Sequence, residues 1–181
     1  IDYLQVTGET SQVVVTPTGN NSYKLETTGG DNPFVTLSAL QTDWGESLSY
    51  IAFEYTIDQD AECNLQFFPQ TAGSSKRIAL HETGSWKQAM VDIESVRTEL
   101  GWGKAGDSLR LNFNDQAVIT MEIRNIKPAS ENDYQAFEAQ EILDVVPDPN
   151  DYENFPNFSK ELRKQLQDAL DAYRANPSEE N

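Results

Sequence analysis

GWGKAGDSLRLNF, Gly101 to Phe113, opens with the string G-x-G-x-x-G, and the residues after its last glycine decide its meaning. A dinucleotide loop runs from a strand into a helix, whose N-terminal amides and positive dipole end hold the pyrophosphate. Here Leu109, Leu111 and Phe113 alternate with Ser108, Arg110 and Asn112, the period of a half-buried strand. The loop feeds a strand, so the nucleotide reading falls. Gly101, Gly103 and Gly106 are turn formers that set Trp102 at a rim, and Asp107 is placed to accept backbone donors within the turn.

The same alternation recurs along most of the chain. Strands are expected at about Gln12–Thr16, Ser22–Thr27, Phe34–Leu37, Leu48–Ile57, Cys63–Phe68, Arg77–Leu80, Ala89–Ile93, Ser108–Phe113 and Val118–Ile126. TGNN, TGGDNP, TDWG, DQDAE, TAGSS and ETGS punctuate them with residues suited to turns. Asp92 to Leu100 has room for one helical turn. Many short strands with few helical stretches between them make an antiparallel β-sandwich. Parity assigns the faces: Ile51, Phe53, Tyr55 and Ile57 oppose Tyr50, Ala52, Glu54 and Thr56, while Cys63, Leu65 and Phe67 oppose Asn64, Gln66 and Phe68. Ile119, Met121 and Ile123 likewise oppose Thr120, Glu122 and Arg124. A one-residue slip would expose most of the core, at roughly 1.5–3 kcal/mol per large side chain.

After Pro128 the period changes. SENDYQAFEAQEILDVV predicts a helix capped by Ser130 and carrying Tyr134, Phe137 and Ile142 or Leu143; VPDPNDYENFPNF is a proline-broken acidic linker. SKELRKQLQDALDAYRANP predicts an amphipathic helix with Ser159 as N-cap, a stripe of Leu162, Leu166, Leu170 and Tyr173, and Lys164 four residues before Asp168. The domains read from these patterns are a sandwich over 1–128 and an acidic helical tail over 129–181. The stripe needs cover from the sandwich, a neighbouring domain or a second copy.

The 181 residues hold 13 Lys+Arg against 30 Asp+Glu, a net charge of −17. The stretch from Pro128 onward carries −9 of it. Such a surface repels phosphate backbones and anionic lipid, so neutral ligands are the expected partners, with no nucleic acid and no membrane insertion. No transmembrane run or signal segment is visible, and the start at Ile1 is that of a mature or trimmed product, compatible with secretion. Asn20 and Asn157 head N-x-[ST] strings. Cys63, alone in its type, sits in an apolar alternation and reads as core.

No catalytic constellation stands out. His81 is the single histidine and reads as a turn residue; there is no G-x-S-x-G, no H-E-x-x-H and no zinc spacing. Glu54 and Glu122 read as sharing a polar face with Arg110 and Arg124, a solvated set of cross-strand ion pairs. No catalytic residue and no cofactor are expected. IDQDAE reads as a plain polar turn, with Asp58, Asp60 and Glu62 gathering calcium as the alternative.

Trp44, Trp86 and Trp102 all fall at loop or strand-edge positions beside small or polar residues. Each is either a plug for the end of the sandwich or a platform for a ligand. Sugar sites pair an indole with planar hydrogen-bonding groups. The outward-facing set of Arg110, Asn112, Gln66, Asn64 and Glu54 supplies such groups, so the candidate ligand residues are Trp102, Trp44, Trp86, Arg110, Asn112, Gln66 and Glu54.

Trp86-Lys87 opening a strand, Trp102-Gly103 before Gly106-Asp107 with Leu109-Arg110-Leu111, and the final Ile123-Arg124-Asn125-Ile126 carry a family resemblance. Over roughly residues 10 to 128 the chain resembles the jelly-roll, galactose-binding-like carbohydrate-binding modules attached to bacterial, especially Bacteroidetes-type, polysaccharide-degrading enzymes. The resemblance implies an all-β jelly-roll sandwich with a C-terminal helical extension, acting as a noncatalytic accessory module that holds a neutral glycan. It implies a secreted, periplasmic or cell-surface location. Related sandwiches also serve as spacers or docking domains without glycan affinity, which is the competing reading. Many relatives hold a structural calcium near the chain ends of the sandwich, for which no residue set here is fixed.

Overall fold

Strand alternation builds two antiparallel sheets in the computed structural model, which describes residues 3–114 and 116–177. The strands are β1 (Val6–Ser11), β2 (Val13–Gly19), β3 (Ser22–Thr27), β4 (Phe34–Leu37), β5 (Tyr50–Ile57), β6 (Ala61–Phe68), β7 (Ser75–Leu80), β8 (Thr83–Asp92), β9 (Ser108–Phe113) and β10 (Thr120–Ala129), with helices α1 (Glu94–Leu100), α2 (Glu131–Val145) and α3 (Lys160–Ala175). The first sheet runs β1-β4-β9-β6-β7 and the second β2-β3-β10-β5-β8. The result is an antiparallel jelly-roll sandwich with C-terminal helices. The final four residues of the acidic tail lie outside the described residues.

The inward parity set fills the core. Leu25, Val35, Ile51, Cys63, Phe67, Leu109, Ile119 and Met121 are fully buried, and they join one cluster drawn from both sheets. Cys63 is therefore core, as its place in the alternation predicts. On the outward side the parity rule is less strict: Tyr50, Ala52 and Phe34 are buried although they face away from the core. The Tyr50 hydroxyl donates to Glu131 at 2.6 Å.

Three elements differ from the sequence reading. β1 is absent from the expected strands, because VTGETS offers no apolar alternation; it pairs antiparallel with β4. β8 starts at Thr83 instead of Ala89, which places Trp86 within an edge strand, three residues after its start. The third concerns α3. The chain divides into two compact units, Ile1–Glu131 and Asn132–Asn181, and within the second unit α3 buries Arg163 while Leu162 and Leu166 remain exposed. The inward stripe is thus Arg163, Gln167, Leu170 and Tyr173, rotated from the leucine stripe expected.

Other features of α3 obey the local signals. Ser159 accepts a hydrogen bond from the Leu162 amide at 3.0 Å, closing the N-terminus, and Lys164 pairs with Asp168 at 2.6 Å.

Candidate functional site

The glycine loop acts on packing. Gly101, at φ 69°, ends α1 in the left-handed conformation and donates to the Arg97 carbonyl. Gly103, at φ 113°, lies so close to Arg97 that a Cβ there would sit 2.6 Å from Nη1. Asp107 accepts from the amides of Gly103 (2.8 Å) and Lys104 (2.9 Å), the role its position predicts. Between these turns Trp102 points inward. It is 5% exposed, its Nε1 donates to the Ser108 carbonyl at 3.1 Å, and its ring meets Phe67 and Trp44 edge-on at 4.8 and 5.2 Å. Trp102 is the plug of the two alternatives and drops out of the ligand set, because an indole with both its surface and its N–H committed has nothing left to offer. Trp44 is half-buried against it, and Arg97 donates to the carbonyls of Trp44 and Gly45.

The polar candidates do not form one site. Arg110 and Asn112 on β9, and Gln66 and Asn64 on β6, face outward from the first sheet; Glu54 on β5, Arg124 on β10 and Trp86 on β8 belong to the second. The expectation that Glu54 and Glu122 share a face with Arg110 is corrected accordingly. Parity separates inward from outward, but both sheets have an outward side.

On the first sheet, β9 lies between β4 and β6. Arg110 stands opposite Thr36 on one side and Gln66 on the other, and Asn112 opposite Phe34 and Asn64. Directly opposed residues on one face are in side-chain contact range. The Arg110 guanidinium lies 4.0 Å from the Phe34 ring centroid and 5.0 Å from that of Phe68, and it donates to Glu9 at 3.3 Å. Asn112 donates to Gln66 at 3.0 Å, and Asn64 to Asn114 at 2.9 Å. Phe34, Phe68 and Glu9 are partners of Arg110 on this candidate face that sequence reasoning misses. Phe68 carries a signal, an aromatic at outward parity in CNLQFF. The row of amides leads to an open depression of about 700 Å³ bounded by Asp60, Glu62, Asn64, Arg77, His81 and Asn114.

On the second sheet, Glu54 accepts from Arg124 Nε and Nη2 at 3.3 and 3.1 Å and from Asn125 Nδ2 at 2.7 Å. The hydrogen bond from Arg124 holds the Glu54 carboxyl below its ordinary value of 4.5; Asn125 adds to this, and burial opposes it. A carboxyl lowered in the folded state contributes stability that is fully present above its unfolded value and lost as the pH falls through the folded one. Glu54→Gln is therefore expected to flatten the fall in urea midpoint on acidification below about pH 4.5; parallel profiles for variant and wild type would dissociate the pair from stability.

The IDQDAE carboxylates diverge. Asp58 accepts from the Thr120 amide, Asp60 from the Glu82 amide, and Glu62 pairs with Arg77. Among the described residues no group of three or more His, Cys, Asp and Glu side chains is placed to hold a metal ion, and no helix is long and apolar enough to cross a membrane. His81 is exposed, 3.9 Å from Asp60.

No protein-family model matches the sequence, and no curated protein sequence does. Solved structures do match. The family 29 carbohydrate-binding module from Piromyces equi superposes with a TM-score of 0.50 at 10% identity, covering 68% of this chain and 80% of that one. A family 30 carbohydrate-binding module gives 0.48 at 15% identity, covering 71% and 78%. The likeness is one of fold. At 10% identity it transfers no site residue.

Proposed function

We propose that this chain is a noncatalytic glycan-binding module, an accessory part of an exported carbohydrate-active protein, and that its principal site is the outer face of the first sheet. One observation carries the reading: Arg110 is clamped between Phe34 and Phe68 and tied to Glu9, next to the Asn112–Gln66 pair. A pyranose has weakly apolar C–H faces, and its hydroxyls both donate and accept. Phe34, 5% exposed, serves to hold Arg110; the half-buried Phe68 ring, the fixed guanidinium, the amides and a carboxylate side by side meet both needs.

Neutrality follows from pairing. Arg110 is matched by Glu9 and Arg77 by Glu62, so the face has no cationic surplus to attract an acidic sugar. A net charge of −17 adds repulsion of anions at long range. The fold shared with carbohydrate-binding modules supports the same reading. Nothing in this action breaks a bond; the module holds a neutral polysaccharide or oligosaccharide at about micromolar to millimolar affinity, ~4 to 8 kcal/mol.

A structural or protein-docking domain is the competing reading, and the burial of Trp102 favours it by removing one expected platform. Calorimetric titration with cellohexaose, mannohexaose, xylohexaose and laminarihexaose separates the two. Binding of at least one probe, weakened on the order of tenfold (~1.4 kcal/mol) in Arg110→Ala at a nearly unchanged melting temperature, is the expected result. A full panel without binding supports the docking reading, and release of reducing sugar would show hydrolysis instead.

A further inference from the structure

Trp86, Arg124, Glu54 and Asn125 converge on the outer face of the second sheet, away from the Arg110 clamp. We propose that they form a second, independent glycan site, so that one copy of the chain grips two glycan segments, one on each side of the sandwich. The inference rests on the glycan-binding reading for its ligand class, a neutral polyol, and on separate residues for its existence.

The side chains are aimed by the backbone. β10 pairs with β5 through Arg124↔Glu54, and the register then shifts before resuming at Lys127↔Ala52. At this bulge Asn125 takes φ 55°, left-handed for a non-glycine residue, and its amide donates to the Asn21 carbonyl. A bulge re-aims the side chains around it. Here it turns Asn125 Nδ2 onto the same Glu54 oxygen that Arg124 Nε reaches. Arg124, held by both carboxylate oxygens, lies over the Trp86 ring at 3.9 Å from its centroid. Each of the three partners thereby loses its freedom before any ligand arrives, which reduces the ordering cost of binding.

The groups left over are suited to a sugar. Trp86 is only half-buried, and the Arg124 and Glu54 side chains keep 35% and 33% of their surface exposed. Five guanidinium N–H groups cannot all be used on one carboxylate, so donors remain beside carboxylate lone pairs and an indole. The guanidinium is neutralised by its carboxylate, as Arg110 is by Glu9. This is the chemistry of the first face repeated on the second: ring, paired guanidinium, carboxylate and amide. The bland alternative, a staple between β10, β5 and the edge strand β8, predicts the same contacts but no response to a ligand.

The test uses the full chain and the same four neutral hexaoses. Wild type is expected to bind two molecules of the best probe; Trp86→Ala is expected to bind one, and Arg110→Ala to keep the second-sheet site unchanged while the first-sheet site weakens about tenfold. Because Trp86→Ala also removes a packed ring, the indole N–H resonance of Trp86 is followed in Arg110→Ala, whose second sheet is intact. Its shift on adding the probe, with the Trp102 indole unmoved, supports the second site. One-to-one binding that Arg110→Ala weakens about tenfold or more, with no movement at Trp86, overturns this inference and leaves the principal site standing. No binding by any probe overturns both.

Discussion

Replacing Trp102 by alanine is expected to lower the stability of the sandwich by about 3–5 kcal/mol and to leave glycan affinity, measured below the lowered melting point, close to wild type. The magnitude comes from the contacts of the ring. It is 5% exposed, meets Phe67 and Trp44 edge-on, and satisfies the Ser108 carbonyl at the start of β9. Removing it leaves a cavity at the end of the core and a carbonyl without its partner. Against a total of roughly 5–15 kcal/mol for a domain, such a loss consumes a large part of the margin. Trp102→Phe, which keeps most of the volume and loses the N–H, is expected to cost less, about 1–3 kcal/mol. Urea denaturation of both variants reads the difference. An unchanged midpoint in Trp102→Ala together with lost binding would return Trp102 to the ligand set.

The open choice between plug and platform at Trp102 illustrates where sequence reading stops. Alternation in SLRLNF and YIAFEYTI is enough to name the inward residues, because a period of two has only two faces and water makes them unequal. It is not enough to say which sheet an outward residue belongs to. Arg110 and Glu54 have the same parity signature and lie on opposite sides of the protein, since sheet membership depends on pairings between strands far apart in sequence, β9 with β4 and β6, β5 with β10 and β8. The start of β8 misleads for a local reason: Gly84 reads as a turn, yet the strand runs through it. Trp102 is legible only as a pair of alternatives, because the turn glycines around it are compatible with an indole pointing either way. The Arg110 clamp needs Phe34 and Glu9 from segments about 75 and 100 residues distant, a juxtaposition that no local period encodes.

The largest failure of pattern reading, in α3, leads to the second strong expectation: Arg163→Ala should unfold the unit Asn132–Asn181 while leaving the sandwich intact. A leucine stripe is the natural inward face for KELRKQLQDALDAYRA, but Arg163 takes the centre at 4% exposure. The reason lies in the segment before the helix. The turns between Asp148 and Phe158 present carbonyls that need donors, and Arg163 supplies them: Nη1 to Pro149 at 2.6 Å and Nη2 to Phe155. Its guanidinium also lies 3.8 Å from the Tyr152 ring centroid and 5.6 Å from that of Phe158. A leucine there would bury apolar area and leave both carbonyls unpaired, at about 1–3 kcal/mol each. Hydrogen bonds from a charged donor contribute about 1.5–3 kcal/mol apiece, so alanine at 163 forfeits roughly 3–6 kcal/mol. A unit of about 50 residues has roughly 2.5–7.5 kcal/mol in all. The two ranges overlap, and the expected outcome is loss of hydrogen-exchange protection in α3. Protection in β9 and β10 should be unchanged, because their core residues Leu109, Leu111, Met121 and Ile123 are packed within the other unit. Arg163→Lys, which keeps the charge but loses the planar fork, should fall between the two. Full protection of α3 in the alanine variant would show that the leucines, not the arginine, hold the tail together.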